Sequence, residues 1–139
     1  MRSIIKDSVV LPATAEALYK AYMDPKQHAA ITGGGPVKIS AKAGSKFSVW
    51  DGGISGTTLA AIPSRLVVQS WRSTNFNDGD PDSTLILSFV PEGKNGRIDL
   101  VHLDVPEVDY RGVTEGWKAF YWDPWREYLA KGARKGSRK

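Results

Sequence analysis

The chain of 139 residues contains no cysteine. Disulfides, thiol nucleophiles, iron–sulfur ligands and cysteine zinc sites are therefore excluded. A cysteine-free chain suits a reducing compartment, and the expected location is the cytoplasm. Histidine is nearly as scarce: His28 and His102 stand far apart and lack the HExxH spacing of a zinc hydrolase. There is no GxSxG elbow and no phosphate-binding loop. Gly33, Gly34 and Gly35 follow a helical stretch rather than a strand, which does not suit a nucleotide loop. No catalytic set assembles, so the expectation is a protein that binds rather than catalyses, without metal or cofactor. Nothing approaches the ~18 apolar residues of a membrane span, and no membrane is expected as a partner. Charges between Met1 and Asp7 interrupt what would be the apolar part of a secretory signal.

Excess charge of one sign is also missing from most of the chain. The formal net charge is +4, but five of the 19 basic residues fall in the last nine positions. Without that segment 14 basic residues face 15 acidic ones, a net charge of −1. Residues 1–131 have the length of one domain with a proper core. The basic tail over residues 132–139 has nothing to bury and is expected to be disordered. It reads as a solubilising end or as a weak contact with nucleic acid or an acidic partner. Nucleic acid is not otherwise an expected partner.

What the chain does have is a concentration of aromatic residues near its end. Three of the five tryptophans, Trp117, Trp122 and Trp125, lie there with Phe120, Tyr121 and Tyr128. Trp117, Phe120, Tyr121, Trp125, Tyr128 and Leu129 recur at spacings of three and four, which predicts a helix whose bulky face needs cover. Thr114 is the expected N-cap, and residues 105–112 the approach to it. Pro124 predicts a kink near Asp123, or a restart with Asp123 as cap.

Upstream, Ser3 to Leu11 reads as a strand and Thr14 to Met23 as a capped helix. Asp24 and Pro25 then open a short second helix to Ile31. Six strands follow, over 37–42, 46–50, 55–62, 66–72, 84–90 and 97–104. The alternation is clearest where Leu85, Leu87 and Phe89, then Ile98, Leu100 and His102, share faces. Strand 66–72 is ambiguous, because Trp71 shares a face with Gln69, and Leu66 and Val68 share one with Arg72. The expected class is α+β: a curved antiparallel β-sheet wrapped around a long C-terminal α-helix, with two short helices after the first strand.

Phe47, Leu87, Phe89, His102, Trp117, Phe120 and Tyr121 are the candidate residues of a cavity between sheet and helix. The same aromatic residues would also fill a core completely, and both readings stand at this point. His102 is either a satisfied core histidine or a polar anchor for a small apolar ligand. Asp78, Asp80 and Asp82 lie in the loop 73–82, which lacks the distal glutamate of a calcium loop.

Several motifs together resemble those of the activator of heat-shock protein 90 ATPase homologue family, in its C-terminal-type domain. They are Asp24-Pro-Lys-Gln-His-Ala-Ala-Ile-Thr-Gly33, Gly44-Ser-Lys-Phe-Ser-Val-Trp-Asp-Gly-Gly-Ile-Ser-Gly56, the strand from Ile62 to Trp71-Arg72, His102-Leu-Asp-Val-Pro106 and Gly116 to Tyr121-Trp122. The resemblance runs over about residues 8–130. It implies a helix-grip, START-like or Bet v 1-like fold, no enzymatic activity, and a co-chaperone-like role on an Hsp90-type chaperone. Relatives of the fold often hold apolar ligands between sheet and helix, which implies a carrier or sensor as the alternative. The chain departs from the family at Ser45, where a second glycine is usual, and in the loop from Asn75 to Pro81, which lacks Trp-Pro-x-Gly. It also reads as one domain, without the separate N-terminal domain of long members. The candidate partner contacts are Asp51, Ile54 and Ser55 in the turn 51–56, and Phe76 in the loop 73–82.

Overall fold

β1 (Arg2–Leu11) leads into two short helices, α1 (Ala15–Met23) and α2 (Pro25–Ile31). The Thr14 hydroxyl accepts from the Ala17 amide at 3.1 Å, and the Asp24 carboxylate accepts from Gln27 at 3.3 Å. Each helix thus starts at a side chain that satisfies a free N–H. The strands that follow are β2 (Val37–Lys38), β3 (Lys46–Val49), β4 (Ile54–Ile62), β5 (Leu66–Ser73), β6 (Ser83–Glu92) and β7 (Asn95–Pro106). All seven form one antiparallel sheet in the order β1-β7-β6-β5-β4-β3-β2. The chain then runs through α3 (Glu107–Gly116), a π-helical turn (Trp117–Trp122) and α4 (Asp123–Ser137). This is the α+β helix-grip arrangement expected from the sequence. The structure is a computed structural model that describes the backbone of residues 2–137 and the side chains of residues 3–132. The expected basic tail over 132–139 lies almost wholly outside the described side chains. Among the described residues no helix is long and apolar enough to cross a membrane.

The sheet's inner face follows the alternation. Leu85, Leu87 and Phe89 on β6 and Ile98, Leu100 and His102 on β7 are all buried. On β5 the inward set is Val67, Gln69 and Trp71, which resolves the ambiguous strand. A buried glutamine is tolerated there because both ends of its amide are paired. Its oxygen accepts from the Tyr22 hydroxyl at 2.8 Å, and its nitrogen donates to the Thr58 hydroxyl at 3.3 Å. Between β3 and β5 the strands approach so closely that Gly56 admits no side chain. A Cβ there would stand 1.9 Å from the Ser70 carbonyl oxygen.

Two elements differ from expectation. β2 stops at Lys38, because residues 40–45 fold on themselves instead: the Ser45 hydroxyl donates to the carbonyls of Ser40 (3.2 Å) and Lys42 (2.6 Å). The C-terminal helix begins at Glu107 rather than at Thr114. Pro106 precedes it in extended geometry, and Glu107 and Asp109 occupy its first turn, where acidic residues suit the helix dipole. Thr114 is not a cap; its hydroxyl donates back to the Tyr110 carbonyl at 2.7 Å. At Pro124 the helix neither stops nor restarts. The amide of Asp123 donates to the carbonyl of Lys118, five residues back, so the turn before the proline is widened. That wider turn is where the chain accommodates a residue that supplies no N–H.

The helix is tied to the sheet by its indoles as well as by apolar burial. The Trp122 indole N–H donates to Asp7 on β1 at 2.9 Å, and Arg126 donates to the Val10 carbonyl at 3.2 Å. Trp117, Tyr121 and Trp125 point into the sheet and are all buried.

Candidate functional site

The centre of the molecule is an aromatic chain held by two neutral histidines. Trp117 packs on Tyr121 (ring centroids 4.8 Å) and on Trp122 (5.6 Å), and His102 meets Trp71 edge-on at 4.7 Å. The Trp117 indole N–H donates to His102 Nδ1 at 3.2 Å. That nitrogen must then be unprotonated, so Nε2 carries the hydrogen and donates to the Ser83 hydroxyl at 2.8 Å. The Ser83 hydroxyl passes the direction on to the Trp71 carbonyl at 2.7 Å. Both ring nitrogens of His102 therefore have partners, and burial holds its pKa down at about 3. His102 is thus the satisfied core histidine of the two sequence readings.

His28 plays the matching part on the other side. Its Nδ1 donates to the Tyr22 carbonyl and its Nε2 accepts from the Tyr121 hydroxyl, both at 2.7 Å. Burial lowers its pKa to about 4, partly offset by the bond to the Tyr22 carbonyl. Burial, reinforced by the neighbouring Tyr22, raises the Tyr121 phenol well above its ordinary value, so Tyr121 stays a donor.

Beside this chain lies a pocket of about 360 Å³. It falls within the range of small-molecule sites, about 300–1,000 Å³. Trp50, Gly53 and Ile54 form one wall, Trp71, Ser73, Thr74 and Asn75 the floor, and α3 with the π-helical turn the other wall. Gly112 and Gly116, four residues apart, leave the helix surface bare there, and Val113, Trp117, Phe120 and Tyr121 complete it. At one end sits Asp109, 6% exposed. Its carboxylate accepts from the Ser73 hydroxyl at 2.6 Å and from the Asn75 amide at 3.4 Å. Trp50 stands at the mouth with φ of 54°, a conformation a bulky side chain seldom adopts. It is held by donation from its indole to the Thr32 carbonyl at 2.8 Å and by edge contact with Phe120 at 5.3 Å.

The cavity candidates therefore divide. Trp117, Phe120 and Tyr121 line the pocket, whereas Phe47, Leu87, Phe89 and His102 do not. Those four are buried in packed core, and the pocket lies further along, between α3 and the β4–β5 end of the sheet. Phe120 stands at the rim, 53% exposed, rather than inside. The expected partner contacts divide as well. Asp51 is exposed and Ser55 half-buried, but Ile54 and Phe76 are core residues, each 6% exposed. Phe76 turns inward because Arg72 reorganises its loop. The guanidinium donates to the carbonyls of Asn77 and Asp80 (both 2.6 Å) and to the Asp82 carboxylate (3.1 Å), and it lies over the Phe76 ring. Among the described residues no group of acidic or histidine side chains is arranged to hold a metal.

Asp109, Trp50, Ser73 and Asn75 are not legible as site residues in the sequence. Asp109 is hidden if the helix is taken to start at Thr114. The signal that reveals it is the pair Gly112 and Gly116, one turn apart and unusual inside a helix.

Comparison with known proteins agrees with this architecture. The human activator of 90 kDa heat shock protein ATPase homolog 1 is 24% identical over 119 residues, covering 86% of this chain and 35% of the relative. The Dictyostelium discoideum activator of 90 kDa heat shock protein ATPase homolog is 32% identical over 76 residues, 54% of this chain and 20% of its own. The chain thus spans about a third or less of the curated relatives it matches. Among solved structures, an HSP90 activator from Plasmodium falciparum superposes with a TM-score of 0.83 at 20% identity, covering 91% of this chain and 96% of that one. The Aha1 dimer from Colwellia psychrerythraea gives 0.70 at 14% identity over 85% and 90%. At these identities the structures speak for the fold. A family model described as Activator of Hsp90 ATPase homolog 1-like protein matches residues 12–130, and the chain belongs to that family.

Proposed function

We propose that this domain is a non-enzymatic binding module that docks on an Hsp90-type chaperone and raises its ATPase rate. The observation that carries this reading is the family match along residues 12–130, nearly the whole of the described fold. Support comes also from the HSP90 activator of Plasmodium falciparum, 96% of whose solved chain is covered by this one domain. That activator chain is therefore about as long as a single such domain. Docking falls to the turn 51–56, where Asp51 is exposed, Ser55 is half-buried and Trp50 is held by its bond to the Thr32 carbonyl. The reading involves no metal, cofactor or membrane, and places the protein in the cytoplasm. Substituting Asp51→Lys and Ser55→Lys together is expected to weaken the complex about tenfold or more, since two unpaired charges would have to be desolvated in the interface. Isothermal titration of the host chaperone with each form checks this, and unchanged affinity would move the contact elsewhere.

A second reading has its own observation, the pocket beside Trp117. Its aromatic walls and buried carboxylate suit a small, largely apolar ligand oriented by one polar group. Trp117, Tyr121 and Phe120 are its proposed ligand contacts.

A further inference from the structure

On the reading that this pocket holds a ligand, we infer that the ligand is a small aromatic amine, with its ring between the indoles and its protonated nitrogen on Asp109. Asp109 is 6% exposed, and an ionised carboxylate offers about four acceptor positions. Two neutral donors, the Ser73 hydroxyl and the Asn75 amide, occupy part of that capacity, the second at a long 3.4 Å. Among the described residues no lysine, arginine or histidine forms an ion pair with it. A buried charge without a counter-ion is costly, and a cation from outside would offset it. The pocket lining contains no basic side chain at all, so a ligand carboxylate or phosphate would meet only Asp109.

The rest of the lining agrees. Trp50, Trp71, Trp117, Phe120 and Tyr121 present ring faces and edges, which receive a flat aromatic body and attract a nearby cation. The approach to the carboxylate depends on Gly112. A Cβ at that position would stand 2.7 Å from Asp109 Oδ1, so glycine leaves this oxygen open on the helix side. The π-helical turn follows one turn later, a feature frequent at functional sites.

Three probes with one indole body and different heads test the inference: tryptamine (cationic), tryptophol (neutral) and indole-3-acetate (anionic). Titration calorimetry at neutral pH is expected to find tryptamine about tenfold tighter than tryptophol, the effect of one charge-assisted hydrogen bond, and indole-3-acetate the weakest. In Asp109→Asn the advantage of tryptamine over tryptophol is expected to shrink to about twofold or less. Gly112→Ala, which improves helix propensity but makes the Asp109 carboxylate shift, is expected to reduce the same advantage by crowding Oδ1. Tryptophol or indole-3-acetate binding as tightly as tryptamine would overturn the amine and leave the pocket reading standing. No binding by any probe, with unmoved amide resonances at Gly112 and Trp117, would overturn both.

Discussion

Trp117→Ala is expected to lower the unfolding free energy by about 3–5 kcal/mol, the range for truncating a large aromatic residue in a core. The site justifies the upper part of that range. Trp117 is 3% exposed and packs on Trp71, His102, Tyr121 and Trp122 at centroid distances of 4.8–6.4 Å. Its removal also leaves His102 Nδ1 without a donor in a dry interior, which costs about 1–3 kcal/mol if no water replaces it. Urea denaturation of the two proteins measures the difference. Phe120→Ala is the control three residues on: with its ring 53% exposed at the rim, it is expected to cost less than about 1 kcal/mol. A loss below about 1 kcal/mol at Trp117 would mean that the helix does not seal the sheet.

The second large effect is on acid stability. His28 and His102 ordinarily titrate at 6.5, and burial lowers them to about 4 and about 3 in the fold. Both are therefore neutral in the native state. Above about pH 6.5 folded and unfolded chains bind the same protons at these sites, and the full stability is present. As pH falls below that value the unfolded chain takes up protons that the folded one refuses. Stability then declines by up to about 1.4 kcal/mol per pH unit for each histidine, until the folded values are reached. Between pH 7 and pH 5 the combined loss is expected to be roughly 3–4 kcal/mol, before most carboxylates titrate. Denaturant midpoints at the two pH values check this, and equal midpoints would contradict the assignment of both rings as buried and neutral.

Much of this architecture is legible in the sequence, for reasons that also explain where legibility ends. Period-two patterns such as Leu85, Leu87 and Phe89 report a half-buried strand directly. Gln69 defeats the same logic, because its inward position depends on Tyr22, 47 residues away. The helix start is obscured by Gly112 and Thr114, which look like a terminator and a cap but sit inside α3. A 3.6-residue period places Phe120 inward. The π-helical turn, with its i→i+5 bonds, is wider, so a residue three on no longer falls on the same side: Trp117, Tyr121 and Trp122 are buried and Phe120 turns outward. The pocket escapes the pattern for a related reason. Whether a layer of aromatic residues closes or leaves a gap depends on volumes and on two bare glycines, and not on periodicity.

The most direct test of the proposed function is the ATPase rate of the host's own Hsp90-type chaperone, with and without this protein in excess. The expected result is stimulation that persists when residues 132–139 are deleted, because the activity is assigned to the folded domain. An unchanged rate together with no detectable complex would contradict the co-chaperone reading.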